Sequence, residues 1–391
     1  MSSVRAIERY FSQRYGREAL YLPSGRLALY LAFRQWLRPG DRLLMSPVDD
    51  DVVFFTVIAA GLIPVLGPVD PKTGNLDPQG VEPKVWDSLR GVLTTNLYGI
   101  PDRMDRLLEI CTPRGILLIE DACQALDTPW NGRRVGGLSE VSVFSLTKHL
   151  SGVGGILAFT QSERRDSLER AAREEILVPS FAQQLRRSLR RSVREAAART
   201  GTLGTLQASR RTLFPPGGEE RSGHRMPYRS EEVQKERRSG AGLDRFDPWV
   251  RVDNARYRIA VSGSDAKRTL REIEAFEENR RHRLEGTCRL LELGLTPADI
   301  MLPRDGALFK LPLFVRDREK VLSAFQEHGL DLDYIYDPPL DLYAADELAE
   351  KIPSRPEARR WSRDVLPVNP LQADRFLKLM KAIPPLQPTE P

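Results

Sequence analysis

The sequence predicts an α/β protein in which helices cover a mostly parallel sheet, followed by a smaller carboxy-terminal α+β domain. Short apolar or β-branched runs without polar alternation recur between about residues 21 and 160, and helical patterns separate them. Strands have this composition when helices cover both faces of a parallel sheet. The chain has 391 residues, which is enough for a large core and for a second domain.

The elements of the predicted sheet follow one another in a regular alternation. Six short apolar or β-branched runs are predicted strands: residues 42–46, 63–66, 91–95, 115–119, 141–145 and 155–160. Three longer segments between them are predicted helices: residues 27–36, 52–60 and 104–111. Because strands and helices alternate, the strands are expected to pair in parallel through helical crossovers.

The composition changes after about residue 160. Residues 164–251 are rich in Arg, Ser and Glu and poor in strand signals. Within them, a predicted amphipathic helix carries Leu185, Leu189 and Val193 on one face, with arginines around it. Three interpretations of this segment remain open: a helix that covers the site or a dimer contact, arginines that recognise an anionic substrate such as a sugar diphosphate, and docking on anionic lipid.

The remainder of the chain is predicted to begin with one long, highly charged helix. This helix spans about residues 264–293, and it is followed by a strand and two helices at residues 307–313, 318–328 and 373–383. The predicted organisation has three parts. These are a large α/β domain in residues 1–160, an arginine-rich insertion of helices and loops in residues 161–252, and the long helix with a small α+β domain in residues 253–391.

Composition narrows the class of protein. The net charge is +5, but aromatic stacking runs and nucleic-acid motifs are missing, so nucleic acid is not an expected partner. The three cysteines (Cys111, Cys123 and Cys288) are odd in number and lack metal-like spacing, which indicates a reducing compartment without a disulfide framework or a metal site. No apolar run approaches the length of a membrane span. We therefore expect a cytoplasmic protein.

Two predicted strands end beside charged residues. The apolar run at residues 141–145 is followed by Lys148 and then by a glycine-rich stretch, and the run at residues 115–119 is followed by Asp121. An enzyme that uses pyridoxal 5'-phosphate (PLP) needs such a pair, because a lysine carries the cofactor and an acid keeps its pyridine nitrogen protonated. Taken singly, Lys148 could be a surface lysine and Asp121 could cap the next helix.

A third feature could hold a phosphate. Residues 23–29 follow a short strand and open a helix, where backbone N–H groups suit an anion and Gly25 permits close approach. An ordinary N-capped helix would look similar. Near Lys148, the hydroxyl residues Ser145 and Thr147 and the glycines of residues 152–155 allow close packing and hydrogen bonds to phosphate.

Together these features resemble the nucleotide-sugar aminotransferases, the DegT/DnrJ/StrS family of fold-type-I PLP enzymes. The segment 132–140 followed by 144–148 carries the resemblance most strongly. Further matches occur in order at residues 24–25, 39–41, 60–61, 96–99, 120–124, 152–155 and 336–340. The resemblance covers about residues 20–160 and continues collinearly from about residue 253 to the end.

The resemblance implies a fold-type-I PLP transferase and a role for each matching residue. Lys148 would carry PLP and later move a proton, Asp121 would pair with the pyridine nitrogen, and Gln124 would lie near the phenolic oxygen. The phosphate would be held by five positions, namely Ser24, Gly25, Arg26, Ser145 and, from across a dimer, Arg256.

The implied reaction is transamination in a homodimer with sites at the subunit interface. An amino donor, in this family often glutamate, would give its nitrogen to a keto-sugar nucleotide or a related carbonyl substrate. Such reactions serve sugar, polysaccharide or secondary-metabolite biosynthesis. Two alternatives are elimination or dehydration on the same fold, and a non-catalytic partner or regulator. The presence of Lys148, Asp121 and Gln124 together counts against the non-catalytic role.

Several positions depart from the family pattern. Arg26 stands where Thr is usual, Arg256 where an Asn reaches the phosphate, and Asp341 where a His is common. The family also stacks an aromatic residue on PLP just after a proline, but residues 47–52 contain none, and Phe54 and Phe55 are out of register. The loop between Ser145 and Lys148 is about two residues shorter than usual. These departures bear on the substrate more than on PLP binding.

His149 follows Lys148 directly. In related sugar dehydratases a histidine replaces the lysine, which prevents covalent attachment of PLP. Because Lys148 remains here, the dehydratase interpretation loses its main support, and His149 is interpreted as a residue that packs behind the site.

Overall fold

The computed structural model describes residues 2–178, 225–250, 257–330, 332, 336–353, 356–383 and 385–389. Its strands, in chain order, are β1 (Glu18–Leu22), β2 (Arg42–Met45), β3 (Ile63–Leu66), β4 (Gly91–Leu93), β5 (Leu117–Asp121), β6 (Pro129–Trp130), β7 (Arg133–Arg134), β8 (Val141–Ser145), β9 (Gly155–Phe159), β10 (Leu311–Phe314), β11 (Glu350–Lys351) and β12 (Val365–Val368).

The helices in the described residues surround these strands. In chain order they are α1 (Ser3–Tyr15), α2 (Gly25–Trp36), α3 (Asp51–Ala59), α4 (Pro83–Trp86), α5 (Met104–Arg114), α6 (Arg165–Glu175), α7 (Ser230–Arg238), α8 (Leu243–Val250), α9 (Gly263–Glu274), α10 (Phe276–Leu291), α11 (Arg318–Glu327), α12 (Leu340–Tyr343), α13 (Pro356–Arg363) and α14 (Ala373–Leu379).

Eight of the strands form one sheet, in the order β1-β9-β8-β5-β4-β2-β3-β11. The pairs from β8 to β11 are parallel, whereas β9 runs antiparallel to both β8 and β1. The predicted α/β class with a mostly parallel sheet is therefore confirmed. Strands such as β9 and β4 are buried along their whole length, as expected for a sheet with both faces covered.

The largest apolar core lies against this sheet. It contains the inner faces of α2, α3 and α8, together with residues such as Leu43, Val143 and Leu157 from the strands. A second core surrounds the antiparallel pair β10 and β12 and includes Trp361, which is 0% exposed. The carboxy-terminal part does not stay apart from the large sheet, because β11 pairs with β3 and Leu340 packs in the first core.

Two predicted elements differ from the observed ones. The long helix predicted over residues 264–293 is two helices, because Ala275 leaves helical geometry (φ −88°, ψ 6°). The break lets α9 pack against α1 while α10 packs against α14, and such a turn leaves no mark on charge patterning. The strand predicted from residue 307 begins only at Leu311, because the N–H groups of Phe309 and Lys310 bond to the carbonyl of Tyr98 instead of to a strand.

The arginine-rich insertion is described only in part. Its described residues include three helices, α6, α7 and α8, and Trp249 of α8 packs in the first core. The predicted amphipathic helix with Leu185, Leu189 and Val193 lies outside the described residues. Across the described part of the chain, no helix is long and apolar enough to cross a membrane.

One buried carboxylate organises the connection between β5 and β8. Glu120 is 0% exposed and accepts backbone N–H groups from Gly136 (2.6 Å), Leu138 (2.8 Å) and Ser139 (2.6 Å). A charged acceptor strengthens each of these hydrogen bonds. Glu120 thus holds the connecting loop against the strand that ends in Asp121.

Replacing Glu120 by Gln should destabilise the fold. The amide keeps one acceptor oxygen but turns an N–H group toward backbone donors, so we expect the free energy of unfolding to fall by about 2–3 kcal/mol. Chemical denaturation measures this change. The matched control is Glu163→Gln, at an exposed position, which should change stability by less than about 0.5 kcal/mol. Equal effects of the two variants would contradict the role of Glu120.

Candidate active site

The candidate site residues lie where strands of the sheet end. Asp121 is the last residue of β5, Ser145 is the last residue of β8, and Asp49 lies four residues beyond the end of β2. In open α/β sheets, ligands bind in the crevice at the carboxyl ends of the strands. The topology therefore gathers positions that are about a hundred residues apart in the chain.

The start of α2 lies against these strand ends. Ser24 caps the helix by accepting the N–H of Leu27 (3.1 Å), and its hydroxyl donates to the carbonyl of Tyr257 (2.9 Å). A Cβ atom on Gly25 would lie 3.0 Å from Sγ of Cys123 and 3.7 Å from Cβ of Ser145. The approach of the helix to the ends of β5 and β8 thus uses the small size of glycine.

Gly155, the first residue of β9, closes the same contact from the other side. A Cβ atom there would lie 2.5 Å from the backbone nitrogen of Gly25. Next to this helix start, the hydroxyls of Ser145 and Thr147 bond to each other (3.0 Å), and Thr147 is exposed. N–H groups at a helix start and two hydroxyls form a suitable cradle for a phosphate.

The two arginines predicted at the phosphate differ in what the structure shows. The guanidinium of Arg26 donates to the carbonyl of Val250 (2.8 Å) and lies 5.3 Å from the ring centre of Tyr257. Its side chain therefore points toward α8, and its backbone is the part that remains for the predicted contact. Arg256 lies outside the described residues, so its contact with the phosphate stays a prediction.

Asp121 is buried at the end of β5, with 6% of its surface exposed. One carboxylate oxygen accepts the N–H of Cys123 (2.9 Å), and its backbone is held by Thr94 and Asn96 from the segment after β4. Burial raises the pKa of Asp121, and the positive charge of Lys148 acts in the opposite direction. The carboxyl group is thus placed to stabilise a cation inside the site.

Lys148 is half-buried in the loop that follows β8. Its amine lies 5.9 Å from the ring centre of Phe309, and its carbonyl accepts a hydrogen bond from Arg283 (3.3 Å). The charge of the amine acts on both Asp121 and Asp49. The structure therefore brings together the lysine and the acid that the sequence singled out.

Gln124 links two further segments of the site. It is 3% exposed, its side-chain oxygen accepts the N–H of Tyr98 (3.0 Å), and its amide donates to the hydroxyl of Tyr336 (3.2 Å). The two tyrosine rings stack with centres 6.0 Å apart. Gln124 lies among residues of the site, but its amide is occupied by neighbouring residues of the chain.

His149 packs behind Lys148 and is 1% exposed. Since the carbonyl of Gln124 can only accept, the ring nitrogen Nε2, at 2.8 Å, carries the hydrogen. Burial lowers the pKa of His149 to about 3, with a further contribution from the charge of Arg283. The imidazole is therefore neutral at ordinary pH and joins the loop of Lys148 to the segment after β5.

A second buried acid, Asp49, was not among the predicted site residues. It is 2% exposed, accepts the hydroxyl of Thr95 (3.2 Å), and has a pKa well above its usual value because of burial and the nearby charge of Asp121. Phe54 and Phe55 lie in the core and are 0% exposed. The run of three acids after a predicted strand was the sequence signal for Asp49.

Arg225 is another residue that the sequence did not single out. It donates to four backbone carbonyls: those of Pro47, Asp49, Tyr336 and Pro338. Burial lowers its pKa to about 10. The guanidinium joins the loop after β2 to the segment that carries Tyr336, and no local pattern in the arginine-rich region distinguishes it from its neighbours.

The fold is that of the fold-type-I PLP enzymes. The structure of E. coli GDP-4-keto-6-deoxy-D-mannose-3-dehydratase with bound hydrated PLP superposes with a TM-score of 0.65 and 15% identity, covering 98% of this chain and 92% of that one. Residues 2–186 match the model of the DegT/DnrJ/EryC1/StrS aminotransferase family. This amino-terminal part of the chain, which contains Lys148, Asp121 and Gly25, is therefore similar to that family.

Two curated relatives show the same relationship at the level of sequence. The spore coat polysaccharide biosynthesis protein SpsC of Bacillus subtilis is 30% identical over 170 residues, which are 42% of this chain and 44% of that protein. The dTDP-3-amino-3,4,6-trideoxy-alpha-D-glucose transaminase of Streptomyces venezuelae is 37% identical over 130 residues, 32% of this chain and 34% of that protein. The chain thus matches less than half the length of either relative.

The neutral imidazole of His149 should make the fold sensitive to acid. An unfolded chain takes up this proton below about pH 6.5, whereas the folded chain does so only near pH 3, so stability from this residue is present above pH 6.5 and is lost as the pH falls. We expect His149→Gln to remove a loss of about 1.4 kcal/mol per pH unit between pH 6 and 4.

Urea unfolding at a series of pH values measures this dependence. Gln retains an N–H donor for the carbonyl of Gln124, so the comparison isolates the titration of the imidazole. The control His282→Gln changes an exposed histidine and should keep the wild-type pH dependence. Identical slopes for the wild type and His149→Gln would contradict the assignment.

Proposed function

We propose that this chain is a PLP-dependent aminotransferase. It moves an amino group from an amino-acid donor, with glutamate as the first candidate, to a keto-sugar nucleotide or a related carbonyl substrate. The observation that carries the proposal is the placement of the Lys148 amine and the buried carboxyl of Asp121 at neighbouring strand ends, beside the helix start at Gly25.

The residues at this edge fit PLP in three respects. The cofactor has an aldehyde, which a lysine amine binds covalently, and Lys148 is present and half-buried. It has a pyridine nitrogen, which can carry a proton. Asp121 is a buried acid with a raised pKa, and a neighbouring cation would stabilise its charged form. It has a phosphate, which the helix start at Gly25 would bind. This helix start approaches Ser145 and Gly155 closely only because both glycines lack a side chain.

When bound, PLP supplies an electron sink for the bond that breaks at the carbon bearing the amino group. Asp121 holds a proton on the pyridine nitrogen through its negative charge. The amine of Lys148 would bind the cofactor and would then move the proton between substrate atoms. Ser145 and the backbone N–H groups of Gly25 and Arg26 hold the phosphate, while Ser24 fixes the helix start through its cap.

Other PLP chemistry, such as elimination or dehydration, is the second candidate function. The observation that favours it is Asp49, a buried acid on which the nearby charge of Asp121 acts. Asp49 accepts the hydroxyl of Thr95 and lies in the segment where an aromatic ring was expected. A PLP-bound dehydratase also shares the fold. Lys148 supports transamination over this alternative, and the facing pair of Lys148 and Asp121 argues against a non-catalytic partner or regulator.

We also infer that the enzyme acts in the cytoplasm as a homodimer. All three cysteines are free in the structure, and two of them, Cys111 and Cys123, are buried, which suits a reducing compartment. The homodimer follows from the family resemblance, in which the site lies at the subunit interface. Light scattering after gel filtration tests it, and a monomer that retains activity would exclude it.

The cofactor assignment predicts a Lys148-dependent visible absorbance band on adding PLP. Lys148→Ala should lack the band, and adding glutamate to the wild type should shift it toward the pyridoxamine form. The matched control is Lys310→Arg, because the amine of Lys310 lies 5.4 Å from the centre of the same Phe309 ring. This variant should keep the band.

The outcomes separate the candidate functions. A band that needs Lys148 and responds to amino donors supports transamination and justifies a screen of keto-sugar nucleotides. A Lys148-dependent band that ignores donors favours elimination or dehydration. The absence of any band excludes the PLP assignment.

The phosphate cradle predicts that Gly25→Ala weakens PLP binding. The added methyl group would lie 3.0 Å from Sγ of Cys123 and would push the helix start away from the ends of the strands, so we expect an affinity loss of about tenfold or more. Gly263→Ala is the matched control, because Gly263 also follows a serine cap and opens a helix, yet nothing lies within 4 Å of its added Cβ. Equal affinities of both variants for PLP would contradict the cradle.

A further inference from the structure

Arg283 is a buried cation whose hydrogen-bond acceptors within the described residues are all neutral. It lies on α10, 1% exposed, and donates to Oδ1 of Asn279 (2.9 Å) one turn earlier on the same helix. Its other acceptors are Oδ1 of Asn369 and the carbonyl oxygens of Lys148, Leu308 and Phe309. Burial lowers its pKa to about 10.

A guanidinium that is buried among neutral acceptors destabilises the folded state. Removing a charge from water without a compensating opposite charge is unfavourable, and an apolar side chain of similar volume would pack in the same space. Arg283 nevertheless donates to backbone carbonyls at the junction of three segments. The position of these carbonyls therefore indicates what the guanidinium does.

Arg283 joins three segments, and one of them carries Lys148. One bond reaches the carbonyl of Lys148 itself (3.3 Å), two reach the carbonyls of Leu308 and Phe309 (3.2 Å each), and one reaches Asn369 (3.3 Å). A planar fork with five N–H donors can span acceptors in several directions, which a lysine amine does less well.

The segment of Leu308 and Phe309 also lies close to the side chain of Lys148. The ring of Phe309 lies 5.9 Å from the Lys148 amine and 5.8 Å from the ring of His149. Arg283 thus holds the main chain of Lys148 and the main chain of Phe309, the residue whose ring lies 5.9 Å from the Lys148 amine. Movement at Arg283 would release both ends of the lysine side chain.

We propose that Arg283 is a positioning residue for Lys148, which fixes the lysine main chain and the Phe309 segment so that the amine faces the site. The inference rests on the proposed function for its catalytic consequence, while the geometry it describes is a property of the protein alone. The rival role is a purely structural link between α10 and the segment before β10.

The first test uses the protein without PLP. Lys148 is acetylated with an N-hydroxysuccinimide ester in the folded protein, and the rate is read at that peptide by mass spectrometry. Arg283→Met should speed acetylation of Lys148 by about threefold or more, because the loop opens more often, and Arg283→Lys should have an intermediate effect. The comparison is made below the unfolding temperature of each variant.

The matched control is Arg280→Met on the same helix. Its guanidinium donates to the carbonyl of Asp305 (2.7 Å) at the surface, away from Lys148. This variant should leave the acetylation rate of Lys148 unchanged. If Arg283→Met lowers the unfolding temperature but leaves that rate as in the wild type, Arg283 is only a structural link and the proposal is wrong.

A second test uses the protein with PLP. If the chain is an aminotransferase, Arg283→Met should lower kcat by about tenfold or more while KM for the amino donor changes little, since the misplaced amine affects proton transfer more than binding. A rise in KM with unchanged kcat would overturn the proposal. If the wild type shows no Lys148-dependent band, the proposed function fails, and the acetylation rates still decide the role of Arg283.

Discussion

Glu120 accepts three backbone N–H groups from the connection between β5 and β8, and the geometry of the site depends on this buried carboxylate. It sits one residue before Asp121, and the register of the two strands pairs Asp121 with Val143. Glu120 holds the connection that leads into β8. Because β8 is fixed at that end, the loop that follows it and carries Lys148 also has a defined position relative to the sheet. A neutral side chain at Glu120 would leave backbone donors unpaired in the core.

The site itself is held together by hydrogen bonds between loops that follow different strands. Gln124 bonds to Tyr98 and Tyr336, His149 bonds to the carbonyl of Gln124, and Arg225 ties the segment of Tyr336 to the loop of Asp49. Each loop is therefore placed by its neighbours as well as by its own strand. These hydrogen bonds between loops keep polar groups paired where water is largely excluded.

The positive charge of Lys148 acts on two buried acids of the site, Asp121 and Asp49. Burial raises the pKa of both acids, and the charge of Asp121 raises that of Asp49 further. Two like charges in one site cannot both ionise without a cost, so a cation between them has a large effect on their protonation. In the protein alone, the charge of Lys148 acts on both acids and Arg225 also interacts with Asp49, while the pyridinium of PLP would add a further cation in the proposed enzyme.

Local sequence patterns were sufficient to predict the mostly parallel sheet and the helix start near Gly25, and they singled out Lys148 and Asp121 as candidate site residues. Each follows from a short segment, since an apolar run predicts a buried strand, and a polar residue at its end lies at the ligand-binding edge. The family resemblance added roles for these positions, while the predicted roles of Arg256 and of the arginine-rich insertion stay predictions.

Only the tertiary structure could show the contributions of Arg225 and Arg283. Arg225 and Arg283 lie among many arginines in the chain, and what distinguishes them is the set of distant carbonyls that they meet. The break at Ala275 and the late start of β10 likewise depend on packing between remote segments. Contacts of this kind depend on how distant segments pack together. The residues that neighbour them in the sequence therefore do not predict them.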